Sequence, residues 1–294
     1  MHVSSADKLC ATQAEANTTQ SAIRAELPAC EAVPFLKWAG GKRAIASQIL
    51  PFLGSPEGHY FEPFLGGGAI FFALGPSVAI LSDVNGELIE CYEVVKEQPK
   101  ALADRLSTMK NSEDAYYEIR GEKPRSKLGR AARFLYLTTL SFNGIYRQNL
   151  RGEFNVPYGK KTQKTLPSFE ELELASTALS KVQLLSDDFE ASTEQAGAGD
   201  TIYFDPPYTV AHNNNGFVKY NAAIFSWKDQ VRLAQHAKKL VRRGCRVIVS
   251  NADHHSVRAL YGGFATHILR RHSVIAANRE YRREVTECLF VSEP

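Results

Sequence analysis

The chain is predicted to be an α/β protein built on an open sheet. Three observations predict it. Strand–turn–helix units recur between residues 60 and 97 and return after residue 181. A helical stretch without that rhythm separates the two parts. The buried run Thr201-Ile202-Tyr203-Phe204 ends in Asp205-Pro206-Pro207-Tyr208, at the carboxyl end of a strand, where open α/β sheets hold ligands.

Residues 1–33 are rich in Ala, Thr, Ser, Gln and Glu with no sustained period, which predicts a disordered tail. No basic start leads into an apolar core, so a secretory signal is not expected, and the acidic residues argue against a transit peptide. Order is expected from Pro34, with a helical pattern from about Ala44 to Leu53. Gly40-Gly41-Lys42 is not a phosphate loop, because Leu36 stands where its first glycine belongs and Arg43 where a Ser or Thr would hold magnesium. The glycine pair, with Trp38 and Lys42 beside it, can still bring backbone and an aromatic face close to an adenosine-like group. A simple helix-entry turn is the alternative. Tyr60 to Phe72 predicts a strand, a Gly66-Gly67-Gly68 turn open to a ligand, and a helix. The full dinucleotide fingerprint is missing, since Phe71 occupies its third glycine position. Val78 to Asp83 is a second strand, ending in an acid at the distance where nucleotide sites bind ribose hydroxyls; capping of the next helix is the competing role for Asp83.

After a helix from about Glu87 to Glu97, residues 98–180 are predicted to be mainly helical, with one helix near Leu128–Leu140. Then comes the Asn- and Gly-rich run Ser141 to Lys160, expected to form a hairpin. The sheet is expected to resume with Val182–Leu185, the strand before Asp205, a strand from Cys245 to Ser250 and an antiparallel closing pair at Ala265–Arg270 and Val285–Val291, with a helix over Trp227–Arg243. Val210 to Ala223, polar and Asn-rich, is a candidate lid. This organisation implies a tail (1–33), one domain assembled from 34–97 and 181–294, and an inserted unit at 98–180.

Charge is unevenly placed. Between Arg120 and Lys164 stand eleven of the 35 basic residues but two of the 32 acidic ones, Glu122 and Glu153. That segment carries +9 and leaves 24 basic against 30 acidic residues, −6, elsewhere. A one-sided stripe of this kind is an electrostatic footprint for a polyanion, and basic groups interleaved with Asn and aromatics suit nucleic acid; a hairpin with a solvated charged face is the plainer explanation. The five cysteines form no close pair, so neither zinc nor a disulfide framework is expected, and a reducing cytoplasm fits. No apolar run reaches membrane-spanning length.

Two consecutive prolines remove two donors, fix two φ angles and hold Asp205 in extended backbone. A carboxylate and a rigid carbonyl side by side, with Tyr208 behind, suit a planar ring that carries an amino group. A bland proline turn capped by Asp205 is the alternative.

Phe35-Leu-Lys-Trp-Ala-Gly-Gly-Lys42, Phe61-Glu-Pro-Phe-Leu-Gly-Gly-Gly68, Ser82-Asp83-Val-Asn85, Gly152-Glu-Phe-Asn-Val-Pro-Tyr-Gly159 and Asp205-Pro-Pro-Tyr208, in that order, resemble the Dam-type DNA adenine-N6 methyltransferases. The resemblance runs from about Pro34 to Phe290. It implies a Rossmann-like mixed sheet of seven strands, S-adenosylmethionine as cofactor, and a helical target-recognition insertion with a β-hairpin. It places Trp38, Lys42, Asp83 and Asp205 in the cofactor site, with Glu62, Phe64, Gly66 and Gly68 beside it. Asn143 and Ile145 become wedges near the vacated base, Arg147 the guanine reader and Lys160 a phosphate contact. The run His212 to Asn215 departs from the family's pattern.

The expected chemistry follows from the acceptors. Adenine's N6 lone pair is delocalised into its ring; Asp205 and the Pro206 carbonyl, accepting its two hydrogens, localise the pair toward the methyl donor. Pro207 stiffens the loop, and Tyr208 stacks on a base that must leave the duplex. No metal is needed. Double-stranded DNA is the expected partner, a monomer the expected state, and GATC, or a longer site beginning GAT, the expected target. An N4-cytosine or ribosomal-RNA adenine methyltransferase, or a catalytically silent DNA-binding regulator, stay open as alternatives.

Overall fold

The computed structural model describes residues 32–149, 151–160, 162–210, 225–272 and 284–293. All but the last two residues of the expected tail, and all but Val210 of the candidate lid, lie outside these, as do His212 to Asn215.

Seven strands form one mixed sheet in the order β3-β2-β1-β4-β5-β7-β6. They are β1 (Tyr60–Glu62), β2 (Ala79–Ser82), β3 (Val182–Leu185), β4 (Thr201–Phe204), β5 (Arg246–Ala252), β6 (Phe264–His272) and β7 (Glu284–Ser292). The first five are parallel, and β7 enters antiparallel between β5 and β6. The sheet expected from the motifs is therefore present, closing pair included. The chain runs outward from β1 to β3 on one side and from β4 to β5 on the other, so the carboxyl ends of β1 and β4 flank the switch point. In such sheets that crevice is the ligand site. Glu62–Gly68 leaves one of these strands and Asp205–Tyr208 leaves the other.

Strand side chains alternate between two cores, as a period of two requires. Tyr60, Leu81, Tyr203 and Ile248 face one; Phe61, Ile80, Ile202, Phe204, Val247 and Val249 face the other. The second face is covered by α9 (Trp227–Arg242) through Leu233, Ala234, Ala237 and Leu240. Ser226 and Asp229 close a reciprocal capping box at its start. Each fully buried Leu or Phe contributes about 1.5–3 kcal/mol, so these two layers fix the strands that carry the switch point.

The first core contains α1 (Ala46–Leu53), α2 (Ala69–Leu74) and α3 (Gly86–Glu97), and it extends without a break into the middle of the chain. There α4 (Pro99–Ser107), α5 (Glu113–Gly121), α6 (Lys127–Leu140) and α7 (Phe169–Leu179) confirm the helical expectation. Ala131, Ala132, Phe134 and Leu135 of α6 and Leu172, Ala175 and Leu179 of α7 pack in the same cluster as Leu88 and Tyr92 of α3. Arg130 reinforces the seam with a paired contact to Glu90, its Nε donating at 2.7 Å. Two short helices, α8 (Phe189–Ser192) and α10 (His255–Leu260), complete the helices of the described residues. Among the described residues no helix is long and apolar enough to cross a membrane.

Ser141 to Lys160 folds back on itself, yet two isolated bridges, Ser141 with Tyr158 and Gln148 with Phe154, replace regular strands. A small separate core holds it, with Phe154, Val156 and Tyr158 packed against Tyr116 and Ile119 of α5 and Tyr136, Leu137 and Leu140 of α6.

Candidate active site

Asp205 follows β4 and meets Lys42, which reaches it from the loop before α1. The ammonium stands 2.7 Å from Asp205 Oδ1 and 3.7 Å from Glu287 on β7, and donates to the Gly40 carbonyl at 3.0 Å. The contact between Lys42 and Asp205 is a close ion pair. Tyr208 donates its hydroxyl hydrogen to Glu287 Oε2 at 2.7 Å, and the Lys42 ammonium lies 4.8 Å above its ring. Two carboxylates, one ammonium and one aromatic ring thus share a single knot, in which Lys42 and Glu287 are buried and Asp205 and Tyr208 half-buried.

The electrostatics follow from that packing. Burial pushes the Asp205 carboxyl up to about 6; Lys42 pulls against this, and the Glu287 charge adds to it. Glu62, in the middle strand β1, is pushed up to about 8, chiefly by burial and further by Asp205, although the Tyr60 hydroxyl donates to it at 2.8 Å. Burial thus biases Glu62 toward its neutral acid more strongly than Asp205, which Lys42 draws toward the anion.

The prolyl loop is held from behind. Gln230 of α9 donates through Nε2 to the Pro207 carbonyl at 2.9 Å, and Asn251 of β5 donates through Nδ2 to Gln230 Oε1 at 2.9 Å. Both amides are fully buried, and each orientation is set by its partner. Thr209 donates to the Phe225 carbonyl at 2.7 Å, tying together the two ends of the candidate lid.

On the β1 and β2 side, Asp83 accepts from the Gly66 amide at 3.1 Å through Oδ2 and from the Asn85 amide at 3.0 Å through Oδ1. Burial raises its pKa above the ordinary value. It does not cap α3: the Asn85 side chain does so, accepting from Leu88. Asp83 instead braces the glycine turn. At Gly66 the close approach belongs to Trp38, because a Cβ there would lie 2.6 Å from the indole Cδ1; Gly68 ends the turn in left-handed backbone. The turn predicted to open toward a ligand is filled by the protein's own indole, which also stacks on Tyr146 with ring centroids 5.4 Å apart. Phe64, half-buried, packs against Phe189, Phe204 and Phe225 and forms an aromatic cluster with them.

The hairpin presents exposed Asn143, Arg147, Arg151 and Lys160. Asn143 and Lys160 both hold positive φ, 56° and 55°. Arg147 donates through Nε to Asn155 Oδ1 at 2.8 Å. Ile145 is half-buried against the hairpin's own core, whereas Phe142 is 53% exposed. The segment Lys37–Trp38 joins the two regions: Trp38 stacks on Tyr146, and Lys37 lies so close to Gly144 that a Cβ there would meet its Cδ at 2.9 Å.

Not all of the basic stripe faces outward. Arg130 is spent on Glu90, Arg133 donates to the Ile119 and Arg120 carbonyls, and Lys164 donates to the Thr139 carbonyl. Sequence reasoning missed Glu287, Gln230 and Phe142. Glu287 had a signal, a lone acid inside the apolar run Cys288–Val291 and its flanks; Gln230 had none. Among the described residues no group of His, Cys, Asp and Glu could hold a metal, and Cys91, Cys245 and Cys288 are buried free thiols.

Residues 38–275 match the family described as D12 class N6 adenine-specific DNA methyltransferase. The chain is 36% identical over 269 residues to the type II methyltransferase M1.LlaDCHI of Lactococcus lactis subsp. cremoris, covering 88% of this chain and 95% of that protein. It is 34% identical over 267 residues to the DNA adenine methylase of Escherichia coli, with the same coverage. It is 37% identical over 245 residues to the type II methyltransferase M.MjaIII of Methanocaldococcus jannaschii, covering 76% and 85%.

Proposed function

Because the chain belongs to the D12 class N6 adenine-specific DNA methyltransferases, we propose that it methylates an adenine everted from duplex DNA, at a short sequence for which GATC is the first candidate. The observation that carries this is the Asp205–Tyr208 loop at the switch point of the sheet. Gln230 occupies the Pro207 carbonyl. The acceptor assigned beside Asp205 is the Pro206 carbonyl, and the pair holds the two hydrogens of the amine. Tyr208 supplies the stacking face. The amine's lone pair is localised by this arrangement, and Asp205 is placed to hold the proton that the amine gives up.

The residues present fit S-adenosylmethionine. Asp83 keeps lone pairs beyond those used by Gly66 and Asn85 and can accept from ribose hydroxyls, while Phe64 offers a wall for a purine. Trp38, Lys42, Glu62 and the Gly66–Gly68 turn border the same crevice. When bound, the cofactor supplies an electrophilic methyl group.

Residues 98–180 are assigned to target recognition. Arg147 reads a guanine, Lys160 contacts a phosphate, and Asn143, with Ile145 behind it and Phe142 beside it, enters the space the base vacates. One protomer contains all of these groups, so a monomer suffices. The test is methyl transfer from labelled S-adenosylmethionine to duplex DNA, followed by mapping of the modified base. We expect N6-methyladenine at one short sequence. Label on cytosine N4, or transfer to RNA in preference to duplex DNA, would reject the reading.

A further inference from the structure

Glu287 is 2% exposed inside β7, opposite Ala252 of β5, in a stretch otherwise made of Thr286, Cys288, Leu289, Phe290 and Val291. A buried carboxylate is expensive, and apolar residues of similar volume usually serve stability as well or better. Its partners include two groups of the candidate active site: the Tyr208 hydroxyl at 2.7 Å and the Lys42 ammonium at 3.7 Å. Tyr208 reaches the site on two rotatable side-chain bonds, and its hydroxyl is the lever that sets the ring's plane.

We propose that Glu287 is a positioning residue: it holds the Tyr208 hydroxyl, and so the ring plane against which the target base stacks, while sharing the Lys42 ammonium with Asp205. The inference rests on the reading of this loop as the base-holding site. The groups that face Asp205 and Glu287 are Lys42 from the loop before α1, Tyr60 and Glu62 from β1, Tyr203 from β4 and Tyr208 itself. Among the described residues that face them, the cation is Lys42. Removing the Glu287 charge therefore leaves the ammonium to Asp205 alone and moves the ionisation of Asp205 to lower pH.

Two variants of the full chain separate the tether from the charge. Glu287→Leu keeps the volume and deletes the acceptor; we expect kcat to fall at least about tenfold, with DNA affinity within about twofold of wild type and a lower thermal midpoint, because the Tyr208 hydroxyl loses its acceptor. Glu287→Gln keeps an acceptor oxygen for Tyr208; we expect kcat on the pH plateau within about threefold of wild type, with the acid limb of the profile moved to lower pH. At the mapped site, 2-aminopurine in place of the target adenine should fluoresce more brightly with the leucine variant than with wild type, because the extruded base loses its stacking partner. Wild-type kcat in Glu287→Leu, or an unmoved acid limb in Glu287→Gln, overturns the proposal; the second outcome decides it even if the leucine variant fails to fold. A wild-type protein that transfers no methyl group would overturn the reading of the site instead.

Discussion

The acceptor loop and the hairpin differ in what their polar groups are bonded to. Around Asp205–Tyr208 the named groups are braced by residues from other elements: Lys42 from the loop before α1, Gln230 from α9 and Glu287 from β7. The hairpin's base is also tied to other elements, with Tyr146 donating to Glu87 and Tyr158 to Asn111, but the polar contacts named at its exposed tip are local. Arg147 bonds Asn155 eight positions away, and Asn149 bonds Glu153 four positions away. The first pattern fixes a geometry before any substrate arrives, which electrostatic catalysis demands. The second leaves long side chains that can exchange a local partner for a base edge or a phosphate. Chemistry and choice are thus assigned to a rigid region and an adaptable one, joined through Trp38.

The sharpest way to break this contrast is at Asp205. Asp205→Ala should reduce kcat by at least about a thousandfold, since it deletes one of two preorganised acceptors, while DNA binding stays within about threefold. Near-normal single-turnover methylation would refute the acceptor role. A milder form uses pH. The folded-state pKa of Asp205 is raised to about 6, so the acceptor is ionised above that value and is lost as pH falls through it. The rate should then drop about tenfold per unit on the acid side. In Asp205→Asn that limb should vanish; a limb that persists unchanged would assign it to another group.

The hairpin should respond differently. Arg147→Ala is expected to lose about 1–3 kcal/mol of discrimination at a single guanine, with kcat on the best site little changed. Competition among duplexes altered one base at a time would measure this, and an unchanged preference at every position would remove Arg147 from base reading. If Arg147→Ala instead lowered kcat on every sequence alike, the division between a rigid and an adaptable region would fail.

How much of this was readable in the sequence depends on the range of the interactions. The alternating strands and helices were legible because each leaves a period in its own residues, and the Asp205–Tyr208 loop because two prolines constrain it locally. Gln230 and Glu287 were not, because their meaning arises only when α9 and β7 are laid against a loop 23 and 79 positions away. The charge stripe was half legible. Sequence could count Arg130 but not find Glu90, forty positions earlier, which consumes it. At the glycine turn one constraint was invisible for a related reason: the Cβ that Gly66 lacks would meet Trp38, 28 positions earlier. In the hairpin, left-handed Asn143 lies between the two isolated bridges and left-handed Lys160 just beyond them, and neither conformation was legible in the sequence.

Lys160 gives the smallest expected effect and the finest test of the contrast, because its backbone and its charge can be separated. A left-handed conformation costs a residue with a Cβ about 1–2 kcal/mol, a strain that glycine does not carry. Lys160→Ala removes the charge and keeps the strain; Lys160→Gly removes both. If the side chain touches a phosphate, both variants should reduce the slope of log affinity against log salt by about one, equally on all sequences. Thermal stability should separate them, with Lys160→Gly at or above wild type and Lys160→Ala not above it. Equal slopes in wild type and both variants would take Lys160 off the DNA while leaving its role in shaping the hairpin. A change of slope on one sequence only would make it a reader rather than a phosphate contact.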